Sequence, residues 1–371
     1  MEQLSTFEIK FPHLYLVDWP FRVVPDERSA MAWAARKKTR CQIERIALRL
    51  SRRRPSSVHL MWADFGAGKT HTLFFMRGMC SSLNMLPMYV EWPKTTKTFV
   101  DVYRAIMQAM TLELLTTIFK GACEHNGIDT VLGRAGKLYP EFEEVLLALY
   151  KGDHSSIVMR WLRGNTGMLR SDLSLIGVSH AIKTSDDAVR SLAALIDLVA
   201  QSSVYNRLLL MLDEFQRVDR LKPRIRQDIN DGLHTLINAC PECLSIILSF
   251  SFGRPDNIKF LLTSELYSRA DLETITLPVF KPHEAQEFVT DLLDNFRASG
   301  APDSCFPFTE ASISSILSRI NKLTPREIMK HFDFVLREAD LGIEDGSIDV
   351  VTPDYAQEVL KGVTLRDEEP E

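Results

Sequence analysis

The chain has 371 residues, of which 45% are apolar and 25% are charged, and its formal net charge is −5. This composition is ordinary for a globular protein, and the length allows one large core with a smaller second domain. A negative net charge excludes a molecule covered by a positive field, so any nucleic-acid binding would depend on local basic patches. The N-terminus lacks a secretory pattern, the apolar runs are too short to cross a bilayer, and the six cysteines are scattered, which together predict a cytoplasmic protein with reduced thiols.

The first part of the chain alternates between helical and strand patterns. Residues 29–54 carry apolar side chains at helical spacing, and Pro55 ends that pattern. The continuous apolar run 58–62 predicts a buried strand. A glycine-containing turn leads into a predicted helix over 69–83, and 85–92 form a second predicted strand.

The middle of the chain predicts a large helical insertion and three further strands. Residues 98–201 show helical periodicity without a strong strand signal. The apolar runs 208–212, 244–251 and 274–280 follow. Strands that alternate with helices favour a parallel sheet covered on both faces.

The C-terminal part predicts a small all-α lid domain with four helices, near 282–297, 309–320, 325–340 and 353–361, before an acidic tail. The predicted organisation therefore has an N-terminal segment and helix (1–55), an α/β domain (56–280) and the helical lid with its tail (281–371). The fold class is α/β, with a five-stranded parallel sheet.

The turn after the first strand contains the segment Ala63-Asp-Phe-Gly-Ala-Gly-Lys69-Thr70. Its glycines let the backbone curl so that amide groups face an anion, and the following helix adds its positive end. Lys69 should reach the β- and γ-phosphates of a nucleotide, and the Thr70 hydroxyl should ligate Mg²⁺. Ala63 stands where the usual pattern has glycine, and the alternative interpretation is a plain glycine turn at a helix start. The predicted nucleotide contacts are Gly66, Ala67, Gly68, Lys69, Thr70 and His71.

A second motif, Arg207-Leu-Leu-Leu-Met-Leu-Asp213-Glu214, is an apolar strand that ends in two carboxylates. A buried strand is an unfavourable place for adjacent acids unless they are used. Asp213 can hold Mg²⁺ through a water, and Glu214 can orient and polarise the water that attacks a γ-phosphate. The alternative is a strand end capped by solvated acids.

With these two motifs in this order, residues 20–340 resemble an AAA+ ATPase of the broad group that includes origin-recognition initiators. The segment Ala32-Trp-Ala-Ala-Arg36 is similar to the box that packs near the adenine in that group, although its usual glycine is missing, and the resemblance implies that Arg36 is a further nucleotide contact. The resemblance implies a polar γ-phosphate sensor at Ser251, with Ser249 as the alternative. It also implies a second sensor at Arg326 in Leu323-Thr-Pro-Arg326, whose plainer interpretation is a solvated residue at a helix start.

Shorter strings resemble P-loop proteins of bacterial defence systems, including phage-exclusion loci, and Tn7-type transposition ATPases share the same layout. These strings are Gly68-Lys-Thr-His71, Trp161-Leu-Arg-Gly164 and Asp213-Glu-Phe-Gln216. In such assemblies an arginine finger acts on a neighbouring subunit's nucleotide. Arg254 and Arg269 are the candidates, and each is equally interpretable as a surface arginine.

Two basic stretches, 36–54 and 217–226, could contact DNA phosphates, although charge runs are usually solvated faces. The resulting hypothesis is a Mg²⁺-dependent ATPase that couples nucleotide state to assembly on DNA or a protein partner, in a defence or mobile-element system. Its partners would come from the same operon, or from further copies of the chain in a nucleotide-dependent oligomer. The alternative is a nucleotide-dependent signalling switch with little turnover and no direct DNA binding.

Overall fold

The structure is a computed structural model that describes residues 9–24, 32–52, 55–251 and 255–361. Within these ranges the strands are β1 (Ser57–Ala63), β2 (Met85–Glu91), β3 (Arg207–Asp213), β4 (Leu244–Phe250) and β5 (Ile275–Leu277). The helices are α1 (Lys37–Ser51), α2 (Lys69–Cys80), α3 (Phe99–Gln108), α4 (Leu112–Asn126), α5 (Ile128–Leu138), α6 (Pro140–Lys151), α7 (Ser155–Leu162), α8 (Arg170–Leu175), α9 (Ser185–Gln201), α10 (Pro223–Ala239), α11 (Ser264–Tyr267), α12 (Pro282–Asn295), α13 (Glu310–Leu317), α14 (Pro325–Glu344) and α15 (Pro353–Lys361). None of the helices in these ranges is both long and apolar enough to cross a bilayer.

The five strands form one sheet in the order β2-β3-β4-β1-β5. β3 pairs in parallel with β2 and β4, and β4 pairs in parallel with β1. Every residue of β3 and β4 is buried, as expected for parallel strands covered on both faces. The carboxyl ends of β1, β3 and β4 therefore lie at one edge of the sheet, and β1 leads directly into the glycine-containing turn.

The chain forms two compact units, and each has its own apolar core. One unit comprises Met1–Arg40, Asp64–Phe75 and Leu277–Glu371, and the other comprises Cys41–Ala63 and Met76–Thr276. In the first unit, the ring of Phe21 packs against Phe308 and Phe332 at centroid distances of 6.3 and 5.4 Å. The N-terminal segment is thus part of the same core as the C-terminal helices.

The second unit contains the predicted helical insertion, which consists of α3 to α9. Helix α9 is its central element and packs against α3, α4, α5 and α10. A capping box starts α9, because Thr184 accepts from the Asp187 amide and Asp187 accepts from the Thr184 amide. Helices α10 and α3 approach so closely that a Cβ on Gly232 would lie 2.6 Å from the Phe99 ring. The predicted sheet, insertion and helical lid are confirmed.

Two elements differ from their predicted extents. The helix predicted over 29–54 was wrong over 32–36, since α1 begins only at Lys37. Ala35 and Arg36 have left-handed φ values of 53° and 48°, which a right-handed helix does not allow. β5 is shorter than the predicted 274–280, because Pro278 has no amide hydrogen to continue the pairing.

Candidate nucleotide site

The glycine-containing turn between β1 and α2 has the curvature that its sequence predicts. Gly66 and Gly68 have φ values of 75° and 96°, which side-chain-bearing residues rarely adopt. The Ala67 amide donates to the carbonyl of Asp64 at 3.0 Å, and the Thr72 amide donates to the carbonyl of Gly68 at 2.9 Å as α2 begins. This segment, 64–70, is called the phosphate loop below.

Arg36 contacts the phosphate loop directly. Its Nη1 donates to the carbonyl of Ala67 at 2.6 Å, and its Nη2 donates to the carbonyl of Pro278. The guanidinium also stacks over the Phe280 ring, 4.3 Å from the centroid. Burial lowers the pKa of Arg36 to about 10, partly opposed by Glu284. The left-handed backbone at Arg36 therefore aims this side chain at the loop and not along a helix.

The rest of the predicted adenine-side box packs on the start of α2. The ring of Trp33 lies 4.8 Å from Phe75 and 5.8 Å from His71, centroid to centroid. His71 Nε2 donates to the carbonyl of Ala32 at 3.2 Å. His71 therefore contacts the box, and its predicted role in nucleotide binding remains a proposal.

The start of α14 is joined to the phosphate loop by three contacts. The Arg326 amide donates to the carbonyl of Gly66 at 3.2 Å, and Lys322 Nζ lies 3.1 Å from Asp64 Oδ1. The Arg326 guanidinium stacks over the ring of Phe65 at 4.5 Å. A Cβ on Gly66 would lie 3.1 Å from the Arg326 Cβ and 3.2 Å from Thr324 Oγ1. Gly66 is thus required both for its φ value and for this close approach.

In the second unit, Asp213 ends β3 as a buried carboxylate that accepts hydrogen bonds from neighbouring groups. Ser249 Oγ donates to its Oδ1, Tyr89 Oη donates to its Oδ2 at 3.1 Å, and the Glu214 amide donates to Oδ1 at 2.9 Å. Parallel pairing explains this set, because Tyr89 and Ser249 lie on the strands that flank β3. These donors stabilise a carboxylate that would otherwise be costly to bury.

Glu214 lies just beyond the strand with a left-handed φ of 59°. Its Oε2 accepts from Gln216 Nε2 at 2.7 Å, and the Ser251 amide donates to Gln216 Oε1 at 3.0 Å. Arg217 donates to Glu91 at 2.9 Å and lies 4.0 Å from Glu214. The two candidate sensor serines are therefore distinct: the Ser249 side chain contacts Asp213, whereas the Ser251 backbone connects to Glu214 through Gln216.

Each unit thus brings together part of the predicted residue set. In the first unit, Arg36 and Arg326 contact the carbonyls of Ala67 and Gly66, and in the second unit Asp213, Glu214 and both serines are linked by hydrogen bonds. Sequence reasoning gave no individual role to Phe65, Tyr89 or Gln216, although Gln216 ends the string Asp213-Glu-Phe-Gln216. An aromatic residue between Asp64 and Gly66 was the available signal for Phe65, but no local pattern indicates that Tyr89 lies beside Asp213.

The two basic stretches are partly neutralised by acids. Arg45 and Arg49 both pair with Glu273, at 3.0 and 2.7 Å, and Lys37 pairs with Glu287 at 2.7 Å. In the second stretch, Arg217 pairs with Glu91 and Arg226 pairs with Asp219 at 3.2 Å. Of the finger candidates, Arg269 donates to Asn238 at 2.9 Å. Arg53, Arg54 and Arg254 lie outside the described residues.

The sequence and the fold are similar to known proteins in two ways. Residues 126–256, a third of the chain, match a family described as "BREX system ATP-binding protein BrxC/D". The matched part contains Asp213 and Glu214 but ends before α12 and begins after the phosphate loop. Among curated proteins, none matches the chain.

The fold is that of solved structures of the Aeropyrum pernix ORC2 protein. The ORC2 protein of Aeropyrum pernix, in a structure described as ADPNP-ADP complexes, gives a TM-score of 0.53 at 14% identity, over 92% of this chain and 73% of that one. The ADP form of the same protein gives a TM-score of 0.51 at 15% identity, over 90% of this chain and 70% of that one. Cdc6p from Pyrobaculum aerophilum gives a TM-score of 0.49 at 13% identity, over 93% of this chain and 73% of that one.

These comparisons confirm both resemblances that the sequence motifs indicated. At such low identity the first two structures establish the fold alone, and the family match adds a relation to a phage-exclusion system. The chain has the fold of the Aeropyrum pernix ORC2 structures, and over residues 126–256 it is similar to the BrxC/D family of BREX system ATP-binding proteins.

Proposed function

We propose that this chain binds ATP with Mg²⁺ and hydrolyses it, and that nucleotide state controls its assembly on DNA or on a protein partner in a bacterial defence or mobile-element system. The observation that carries the proposal is the phosphate loop, in which two left-handed glycines stand between a buried parallel strand and the first turn of a helix. Curled loops of this type at a helix start bind phosphate through backbone amides.

Each predicted residue has a defined role in the proposal. Gly66, Ala67 and Gly68 bind the phosphates through the backbone, and Lys69 reaches the β- and γ-phosphates. Arg36 and His71 support the loop and the start of α2 from the nucleotide side. Thr70 and Asp213 would hold Mg²⁺, which neutralises phosphate charge when bound. An oxygen set of one hydroxyl and one carboxylate fits this ion, because Mg²⁺ usually keeps waters and takes few protein ligands.

In hydrolysis, water attacks the γ-phosphorus, the bond to the β,γ-bridging oxygen breaks, and ADP and phosphate leave. Glu214 orients the water and accepts its proton, and its Gln216 partner holds the carboxylate in place. Ser251 and Arg326 sense the γ-phosphate in this scheme. Ser249 remains the alternative sensor, and its contact with Asp213 gives it the separate role of holding that carboxylate.

Two comparisons support ATP as the nucleotide. The family that matches residues 126–256 is described as ATP-binding, and these residues include both strand-end acids. The Aeropyrum pernix ORC2 structure is described as containing ADPNP and ADP.

Substitution of two residues tests the proposal. Lys69→Ala should abolish ATP binding measured by calorimetry, whereas Lys120→Ala, on the exposed face of α4, should not change it. Glu214→Gln should keep ATP binding and lower phosphate release by about 10²-fold or more, because it cannot accept a proton. Unchanged ATP affinity in Lys69→Ala would contradict the assignment of the phosphate loop as the ATP site.

The signalling switch without direct DNA binding remains the second candidate. The observation that favours it is the pairing of Arg45 and Arg49 with Glu273, which reduces the positive charge available to DNA along α1. Multiple-turnover phosphate release separates the two functions. A wild-type protein that binds ATP tightly but turns over no faster than Glu214→Gln would be a switch.

A further inference from the structure

The ring of Phe65 is an exposed aromatic surface inside the phosphate loop. Phe65 is 65% exposed, so burial in a core does not hold the ring in place. Within the part of the chain that the structure describes, the ring is contacted by the guanidinium of Arg326, 4.5 Å from the centroid. Among the described residues, no carboxylate forms an ion pair with Arg326, so the face of this ring is the partner of its charge.

The backbone fixes this stacked pair at both ends. On one side of Phe65, Asp64 pairs with Lys322 at 3.1 Å, and on the other side the carbonyl of Gly66 accepts the Arg326 amide at 3.2 Å. Thr324, the N-cap residue of α14, accepts a hydrogen bond from the Glu327 amide. The first turn of α14 is therefore held against the loop, while the guanidinium beyond it can move by side-chain rotation alone.

We infer that Phe65 is a positioning residue that competes with the γ-phosphate for the Arg326 guanidinium. The inference rests on the proposed function, in which Arg326 senses that phosphate. A phosphate offers charged, bidentate hydrogen bonds that exceed a cation–π contact, so the guanidinium leaves the ring when it binds the γ-phosphate. With ADP, which lacks this group, the guanidinium stays on the ring. Phe65 thus lowers affinity for ATP and leaves affinity for ADP unchanged.

The expected size of the effect follows from the exposed position of the pair. An exposed cation–π contact corresponds to a factor of about 2 to 5 in a binding constant. Phe65→Ala should therefore bind a non-hydrolysable ATP analogue about 2- to 5-fold more tightly than the wild type, with ADP affinity unchanged. Phe65→Leu keeps apolar bulk without a ring face and should behave as Phe65→Ala does. Phe65→Tyr keeps the ring and should behave as the wild type does.

The test is calorimetric titration of the full chain with the ATP analogue and with ADP, in single variants and in an Arg326→Ala background. The inference requires the effect of Phe65→Ala to disappear in that background, which a merely structural role for the ring would not produce. A weaker ATP affinity in Phe65→Ala, an equal change for ADP, or persistence of the change without Arg326 would overturn it. If the wild type binds neither nucleotide, the proposed function is contradicted as well. If the wild type binds ATP and Phe65→Ala has the same ratio of ATP to ADP affinity, only the role of Phe65 is contradicted.

Discussion

Two of the candidate site residues other than glycine have a left-handed backbone. Arg36 and Glu214 both have positive φ, and neither is glycine. Such a conformation costs about 1–2 kcal/mol per residue, and it persists where the surrounding contacts hold it. Arg36 is held by carbonyls of Ala67 and Pro278, and Glu214 by Gln216 and its own amide on Asp213. At Arg36 this conformation directs the charged side chain to the carbonyl of Ala67, and at Glu214 it places the residue just beyond the end of β3.

His59 provides a pH-dependent contribution to stability. It lies in β1, its Nε2 contacts Ser57 Oγ at 3.1 Å, and its Nδ1 has no hydrogen-bond partner among the described residues. Burial lowers the pKa of His59, with smaller opposing and reinforcing effects of Asp271 and Arg49. Because the folded pKa lies below the unfolded value, the unfolded chain takes up a proton first as pH falls. Stability from the neutral ring is complete above about pH 6.5 and decreases below it.

We therefore expect His59→Gln to reduce the loss of stability between pH 7.5 and pH 5.5. The measurement is the midpoint of urea unfolding at the two pH values, in wild type and variant. His125→Gln, at an exposed position of α4, is the matched control and should lose as much as the wild type. An equal loss in His59→Gln would show that other groups set the acid sensitivity.

The packing of α10 against α3 depends on Gly232, which no sequence motif indicated. A Cβ on Gly232 of α10 would lie 2.6 Å from the fully buried ring of Phe99. Overpacking of this kind costs about 1–3 kcal/mol, which exceeds the ~0.5–1 kcal/mol that alanine contributes in a helix. Gly232→Ala should lower the free energy of unfolding measured by urea denaturation.

The control for this substitution is another helical glycine. Gly133 lies in α5, and apart from the adjoining backbone of that helix no heavy atom of the described residues lies within 4 Å of the position of its Cβ. Gly133→Ala should stabilise the protein by about 0.5–1 kcal/mol, since only the conformational preference changes. If both substitutions stabilise, the close packing of α10 on α3 is not what requires glycine at 232.

Local patterns predicted the strands and the phosphate loop because their signals are contained within short segments. A continuous apolar run followed by two glycines and a lysine specifies β1, the loop and α2 with little ambiguity. The start of α1 was wrong because Trp33 and its neighbours have helical spacing but are held by packing on α2, through Phe75 and His71. The contact of Tyr89 with Asp213 could not be predicted, since it depends on β2 lying beside β3.

Electrostatics of the complete chain decides whether DNA is a partner. Arg52→Glu should weaken binding to duplex DNA and lower the slope of log K against log salt by about 1, as expected for one lost phosphate contact. Glu273→Gln should have the opposite effect on affinity, because it releases Arg45 and Arg49. Lys120→Glu gives the same charge change as Arg52→Glu on exposed α4 and serves as the control. The measurement is fluorescence anisotropy at several salt concentrations. Equal DNA affinity of all variants would show that the basic residues of α1 do not contact DNA.

One core of the molecule is assembled from both ends of the chain. Leu14, Leu16 and Phe21 pack with Phe308 and Phe332, which the ribosome adds only after the whole sheet and the helical insertion. During synthesis the early ring of Phe21 lacks its native partners Phe308 and Phe332 until the C-terminal helices have emerged. The phosphate loop also lacks two of its contacts until then, because the carbonyl of Gly66 accepts from the Arg326 amide and Asp64 pairs with Lys322. A nascent or C-terminally truncated chain can therefore contain the complete glycine motif and still lack the surroundings that hold it in shape.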